Sequence, residues 1–184
     1  MVASFTLART AASICILTAL WIPACAPLGA ERTADALRNV VVKSSWTARG
    51  TVQLRNGEYR QQAGPGSTSE IVVKLGALVS EGHVGNKDVA AAVIITDTGG
   101  SGTFNDLALF IRRGDEWQNT DLVALGDRVK VEALRLSGEQ IAVELVVHGP
   151  SDPLCCPTQR VTRRFELKGE RLIAVNENRG NAPQ

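Results

Sequence analysis

The sequence predicts an all-β fold, an antiparallel sandwich or barrel of about eight to ten strands. Turn signals built from Gly, Asn, Asp and Pro recur about every 8 to 12 residues, and the segments between them are short, apolar and β-branched. Only Thr33–Arg38 has a helical pattern, and it is short. The 184 residues are 44% apolar and 21% charged, as in globular proteins. We expect a single folded domain over residues 31–175.

Residues 1–30 have the order of a secretory signal peptide. The apolar run Ala11–Ile22 is shorter than the roughly 20 residues that a membrane-spanning helix needs, and small residues follow it. Cleavage after residue 30 would release a soluble domain. In the alternative, Ile22–Cys25 resembles a bacterial lipobox, so that residues 1–24 are a lipoprotein signal and Cys25 carries the lipid. The sequence therefore predicts an exported protein, periplasmic or secreted, or else anchored to the envelope through Cys25.

A hairpin is predicted near the start of the domain. Thr51–Arg55 alternates apolar and polar residues, Asn56-Gly57 is a preferred two-residue turn, and Glu58–Arg60 forms the returning strand. The segment Gln61–Ser69, which contains Gly and Pro, is predicted to be a loop. The β-branched segment Ile71–Leu75 is then expected to be the next strand.

Two continuously apolar segments, Val89–Ile95 and Leu107–Ile111, lack the alternation of a strand with one exposed face. Their length and the β-branched residues of the first favour two adjacent central strands that are buried on both faces. The glycine-rich segment Asp97–Thr103 joins them and is predicted to be a wide hairpin connection. This segment lacks both the second glycine of a serine-nucleophile motif and the lysine of a phosphate-binding loop.

Two further hairpins are predicted in the second half of the domain. Val129–Leu136 alternates with a phase slip that a β-bulge would explain, and Ile141–Val147 alternates on the way back. Phe165–Leu167 and Leu172–Val175 flank a Lys-Gly-Glu turn. Residues 176–184 form a polar tail, which we expect to fray.

With the leader set aside, the adjacent residues Cys155 and Cys156 are the remaining cysteines. Adjacent Cα atoms are about 3.8 Å apart across a trans peptide, which is shorter than the usual disulfide separation of about 4.4–6.8 Å. Three arrangements stay open: a vicinal disulfide that stiffens its turn, a pair of reduced thiols, and a redox or metal site. The flanking prolines already restrict this turn, and a vicinal disulfide is the arrangement that we predict.

Three blocks resemble those of an uncharacterised family of bacterial exported domains: Thr98–Phe104, Leu125–Val129 and His148–Gln159. The resemblance implies a β-rich envelope or secreted module, in some cases found beside lysozyme-inhibitor-like modules, with no established activity. Members of that family carry an acidic loop similar to a calcium repeat. The corresponding stretch here, His83–Asp88, lacks most of those acids, so we expect an ordinary surface loop without a metal ion.

These observations favour a non-catalytic binding or interaction module of the bacterial envelope, with no cofactor. The net charge of +1 gives no electrostatic case for binding nucleic acid or an anionic membrane. The predicted binding surface combines two loops and would contact an envelope protein or a small ligand. Its residues are Gly99, Gly100, Ser101, Gly102, His148 and Asp152.

The alternative is an envelope enzyme. A hydrolase would use His148 together with Asp152, and a thiol redox protein would use Cys155 and Cys156. The cysteines lack the Cys-x-x-Cys spacing of disulfide oxidoreductases, and no serine or acid stands at a recognisable spacing from the histidine. The choice between these functions therefore depends on the geometry of the fold.

Overall fold

The computed structural model describes residues 28–175, with side chains from Glu31 onward, as one helix and eleven β-strands. This confirms the all-β prediction, with slightly more strands than expected. Residues 1–27 of the predicted signal peptide 1–30, among them Cys25, and the polar tail 176–184 lie outside the described residues. Within residues 28–175, no helix has the length and hydropathy of a membrane span.

The helix α1 covers Leu28–Leu37, so it begins well before the short helical pattern at Thr33. The strands are β1 Val41–Lys43, β2 Thr51–Gln53, β3 Glu58–Gln62, β4 Glu70–Val84, β5 Lys87–Asp97, β6 Thr103–Arg113, β7 Glu116–Asp127, β8 Lys130–Ser137, β9 Gln140–Val147, β10 Gln159–Lys168 and β11 Arg171–Val175.

These strands form three antiparallel sheets: the pair β1-β2, a five-stranded sheet in the order β3-β4-β5-β6-β7, and a four-stranded sheet in the order β11-β10-β9-β8. The two larger sheets meet along both sides: β8 contacts the second part of β4, beyond the reach of β3, and β11 contacts β7. Side chains tie these edges together. Ser80 Oγ accepts the N–H of Leu136 at 2.9 Å, and Asp121 Oδ2 accepts the N–H of Leu172 at 2.8 Å. The larger sheets therefore enclose a flattened barrel that side chains close.

The central strands β5 and β6 are buried on both faces, as their unbroken apolar sequences predict. Val89 and Leu109 belong to the core inside the barrel. Ala90 and Phe110, which follow them along the two strands, belong to a second core on the outer face, together with Leu37 of α1 and residues of the β1-β2 pair. The five-stranded sheet is thus the middle of three layers, and this position removes the need for a polar face.

The predicted turn at Asn56-Gly57 is confirmed, but the hairpin around it is wrong. Both residues have positive φ, 53° and 86°, as a type I′ turn requires. Beyond the turn only Arg55 and Glu58 bridge, because β2 pairs with β1 whereas β3 pairs with β4. Val52 of β2 is buried in the outer core, and that burial decides its partner.

Strand β4 is far longer than the predicted Ile71–Leu75. A register shift between Leu75 and Val79 divides it into a first part that pairs with β3 and β5 and a second part that reaches the barrel edge beside β8. The expected loop at His83–Asp88 is consequently a tight hairpin, in which His83 Nε2 and Asp88 Oδ1 lie 2.8 Å apart across the turn. The bulge expected in Val129–Leu136 is present, but it lies between Val131 and Ala133 and not at the predicted step from Ala133 to Leu134.

Candidate functional site

The two ends of the barrel carry different kinds of connection. At one end, four hairpins close with two-residue turns, between β4 and β5, β6 and β7, β8 and β9, and β10 and β11. The first residue of each turn is a glycine with φ between 56° and 65°: Gly85, Gly114, Gly138 and Gly169. A positive φ at this position is what a type II′ turn needs. We call this the hairpin end; its turns are as short as the strands allow.

The opposite end, which we call the loop end, carries the longer connections. They are Ser44–Gly50, Ala63–Ser69, Thr98–Gly102, Arg128-Val129 and His148–Thr158. Functional residues concentrate on loops that a rigid scaffold positions. Because both predicted binding loops lie here, the loop end is the candidate functional site.

The short connection between β7 and β8 sets how the two predicted loops lie. Asp127 ends β7 opposite Phe104, beside the glycine-rich loop Thr98–Gly102. Lys130 begins β8 opposite Val146, beside the loop that starts at His148. The two loops therefore share one end of the barrel, one on each sheet, and the hydrogen bonds of the described residues include none between them.

Acidic and basic side chains hold the glycine-rich loop from both sides. Asp97 Oδ1 accepts the N–H of Gly99 at 2.8 Å, and Asp127 Oδ1 accepts the N–H of Thr103 at 2.9 Å. Arg128 donates from Nε to the carbonyl oxygen of Ser101 at 2.8 Å. Two of the three blocks that carry the family resemblance thus contact each other, since Arg128 belongs to one and Ser101 to the other.

The three glycines of this loop have different tasks. Gly99 has φ of +77°, and a Cβ there would lie 2.8 Å from the carbonyl oxygen of Glu70. A Cβ on Gly102 would lie 2.9 Å from the ring of Phe104. Gly100 is exposed, and a Cβ there would make only an ordinary contact with Thr98 Oγ1, at 3.9 Å. Packing therefore requires glycine at two positions, whereas Gly100 and Ser101 present the loop to solvent.

Trp46 is a loop-end residue that the sequence reasoning missed. Its ring stacks on Phe104 with centroids 4.0 Å apart and planes at 30°, and 37% of its surface is exposed. One sign of its role was present in the sequence, an aromatic residue within the otherwise polar connection between β1 and β2. Nothing in the sequence, however, shows that this connection lies over β6.

Asp152 organises the second loop, His148–Thr158. Its carboxylate accepts the N–H of Gly149 at 2.8 Å, the N–H of Thr158 at 2.7 Å and the hydroxyl of Thr158 at 2.9 Å. These bonds, that from Gly149 first, hold the pKa of Asp152 below its usual value. The ring Nε2 of His148 lies 3.1 Å from the carbonyl oxygen of Leu154. The residues of the predicted hydrolase pair therefore share a loop, and both are bonded to other groups of it.

The vicinal disulfide between Cys155 and Cys156 is confirmed, with Cα atoms 3.8 Å apart. The N–H of Cys156 donates to the carbonyl oxygen of Pro153 at 3.0 Å. Both cysteines are exposed, and 74% of the preceding Leu154 is exposed as well. We call Leu154–Cys156 the apolar tip: three consecutive apolar side chains that face solvent on a loop fixed at its base by Asp152.

Within the described residues, no group of three or more His, Cys, Asp or Glu side chains is placed to hold a metal ion. The geometry of the loop end is that of two braced loops with an apolar protrusion on one of them. Comparison with known proteins finds no matching family model, no matching curated protein and no matching solved structure. The family resemblance of the three sequence blocks accordingly stays a prediction.

Proposed function

We propose that the protein is an exported module of the bacterial envelope that binds a partner, an envelope protein or a small ligand, through its loop end. The observation that carries this proposal is the apolar tip. A leucine that is 74% exposed stands beside an exposed disulfide on a loop with its own internal bonds. Single exposed apolar residues are common on surfaces, but three in a row on a braced loop form a contact element.

The bracing lowers the cost of binding. Ordering a mobile side chain or loop on association costs about 0.5–1.5 kcal/mol for each group immobilised. The bonds to Asp152 and the disulfide order the loop before a partner arrives. Burying Leu154 against a partner would then contribute about 2 kcal/mol.

The disulfide also supports export. Disulfides persist in oxidising compartments and are rare in the cytosol. A paired Cys155 and Cys156 is therefore consistent with the signal peptide predicted from residues 1–30.

Binding is a better fit than hydrolysis to the geometry of this loop. The bonds that the Asp152 carboxylate accepts come from Gly149 and Thr158 and hold the loop, whereas the ring of His148 contacts the carbonyl oxygen of Leu154. The exposed disulfide keeps a thiol redox function as the second candidate, since an attacking thiolate can reach both sulfur atoms.

The test compares partners captured from the host envelope by the wild type, by Leu154→Ser and by Ile173→Ser, an exposed apolar residue of the barrel wall on β11. Quantitative mass spectrometry should show the partner lost at least tenfold with Leu154→Ser and retained with Ile173→Ser, because about 2 kcal/mol corresponds to roughly 30-fold in affinity. The loop variants Cys155→Ser and Gly100→Asp should weaken capture too. If all three loop variants fold and retain every partner, the loop end is not the binding site.

The redox candidate has its own signature. In a single-cysteine variant such as Cys156→Ser, the Cys155 thiolate would attack a disulfide of the partner, whose second sulfur leaves as a thiolate. The partner would then be trapped as a mixed disulfide that dithiothreitol releases. Capture that depends on such a covalent bond would favour the redox function over the proposed binding function.

A further inference from the structure

A second candidate binding surface lies outside the barrel, away from the loop end. It is a groove of about 770 Å³ between the exposed face of the β1-β2 pair and the beginning of β7, and it reaches the β6-β7 turn at the hairpin end. Val41 and Trp117 contribute apolar surface to it, and Asn119 lines its wall. The volume falls within the range of about 300–1,000 Å³ found for ligand sites.

The hydrogen bonds of β1 show which of its main-chain groups face β2. The N–H of Leu54 donates to the carbonyl oxygen of Val40, and the N–H of Ser44 donates to that of Gly50, both at 2.9 Å. Hydrogen-bonding direction alternates along an antiparallel strand. The main-chain groups of Val40 and Ser44 therefore face β2, and so do those of Val42, which lies midway between them.

The intervening residues, Val41 and Lys43, point their N–H and C=O groups away from β2, toward β7. Asn119 of β7 occupies part of this edge, since its Oδ1 accepts the N–H of Lys43 at 2.8 Å. The main-chain groups of Val41 are left at the open edge, and half of its side chain is exposed beside them. Unpaired edge groups of this kind are a template for an added strand.

The charges around the groove leave it acidic at one end. Arg113 binds Glu170 at 2.9 Å, and the ammonium of Lys43 donates to the carbonyl oxygen of Thr120. Asp115 and Glu116, both exposed, have no ion pair among residues 31–175. Arg113 is therefore paired, and Lys43 keeps its charge at the other end of the groove, beside Asn119 and Thr120. The two carboxylates at the β6-β7 turn remain available for a cation from outside.

We propose that this groove binds an extended peptide segment of a partner protein, which adds a strand to the edge of β1. Main-chain bonds to Val41 would supply affinity, and apolar side chains of the peptide would pack on Val41 and Trp117. A Lys or Arg of the peptide would meet Asp115 and Glu116. This site is independent of the loop end, so either site stands if the other fails.

The sharpest variant is Val41→Pro. Proline removes the N–H that the peptide needs, and because that N–H faces away from β2 the β1-β2 ladder keeps its bonds. The matched control is Arg60→Pro on β3. The N–H of Leu75 donates to the carbonyl oxygen of Gly57, so alternation points the N–H of Arg60 away from β4, at a free edge outside the groove.

The second variant leaves the backbone of the groove untouched and changes two exposed side chains. Asp115→Asn combined with Glu116→Gln removes the available charge from an exposed turn, where folding is not at risk. This variant keeps the proposal testable if Val41→Pro does not fold.

The experiment selects binders from a displayed library of random nine-residue peptides on the protein as processed by its host. We expect enriched peptides to alternate apolar residues and to carry Lys or Arg at one end. Fluorescence anisotropy should show binding weakened at least tenfold by Val41→Pro and by the charge variant, and unchanged by Arg60→Pro.

Three outcomes would overturn the proposal. The first is a selection that enriches no common pattern. The second is a set of peptides that bind Val41→Pro or the charge variant as tightly as the wild type. The third, seen by light scattering, is a wild-type dimer that Val41→Pro converts to a monomer, because the occupant of the groove would then be a second copy of this chain.

Discussion

The carboxyl group of Asp106 lies in the outer core without a cation to balance it. Its side chain is 8% exposed, and its neighbours across the sheet are Ile94 of β5 and Ala124 of β7. No ion pair of the described residues includes it. Burial therefore raises the pKa of Asp106 from an ordinary value of 3.8 to about 6.

This difference in pKa sets both the sign and the size of a pH effect. Between pH 3.8 and about 6 the folded protein holds a proton on Asp106 that the unfolded chain has released. The free energy of unfolding therefore falls as pH rises through this window and stays low above it. At about 1.4 kcal/mol for each pKa unit, ionised Asp106 costs the folded state about 3 kcal/mol.

Asp106→Asn keeps the shape of the side chain and removes the ionisation. We expect the variant to be more stable than the wild type by about 1–3 kcal/mol at pH 8, and the difference to disappear near pH 4. Urea denaturation followed by tryptophan fluorescence, repeated at each pH unit from 4 to 8, measures it. Asp115→Asn, at an exposed turn, should shift stability by less than about 0.5 kcal/mol at every pH. A stability difference for Asp106→Asn that is the same at pH 4 and pH 8 would refute this reasoning.

Three further predictions follow from single contacts. Gly99→Ala should lower the free energy of unfolding by more than about 1 kcal/mol in urea denaturation, because Gly99 has a positive φ and the added Cβ would lie against the carbonyl oxygen of Glu70. The control Gly100→Ala should change it by less than about 0.5 kcal/mol. Equal effects of the two variants would contradict the assigned packing. The amide signal of Gly149 should report the titration of Asp152 in NMR spectra with a midpoint below the ordinary pKa of an aspartate. The stabilising bonds then persist at neutral pH and are lost only on stronger acidification, whereas a midpoint that is not lowered would show that they are absent. Ser80→Ala should lower the free energy of unfolding by about 1 kcal/mol and should speed hydrogen exchange at the amide of Leu136 in β8, which Ser80 binds. Unchanged exchange at this amide would mean that other contacts close the barrel edge.

Local chemistry made the central strands and the turns predictable. The apolar runs of β5 and β6 leave no polar face, so burial on both sides follows from composition alone. The turn at Asn56-Gly57 follows from the positive φ that both residues tolerate. The disulfide of Cys155 and Cys156 was also predictable, because the two are adjacent and are the only cysteines of residues 28–175.

Other features depend on contacts between distant segments. A turn type is fixed by its own residues, but the partner of a strand is fixed by the surface it buries, and this separates β2 from β3. The same holds for Trp46, whose loop lies over Phe104, and for the groove beside Val41.

The sequence by itself determined the all-β class, the doubly buried centre and the residues of the two predicted binding loops. Only the tertiary structure decided that these loops share one end of a barrel, that Asp152 braces the apolar tip and that Asp106 lies buried without a cation. The physical reason is one of range. Backbone preferences and hydrophobic patterning act over a few residues, whereas burial, hydrogen-bond partners and the pKa of a carboxyl group depend on whichever segments the fold brings beside it.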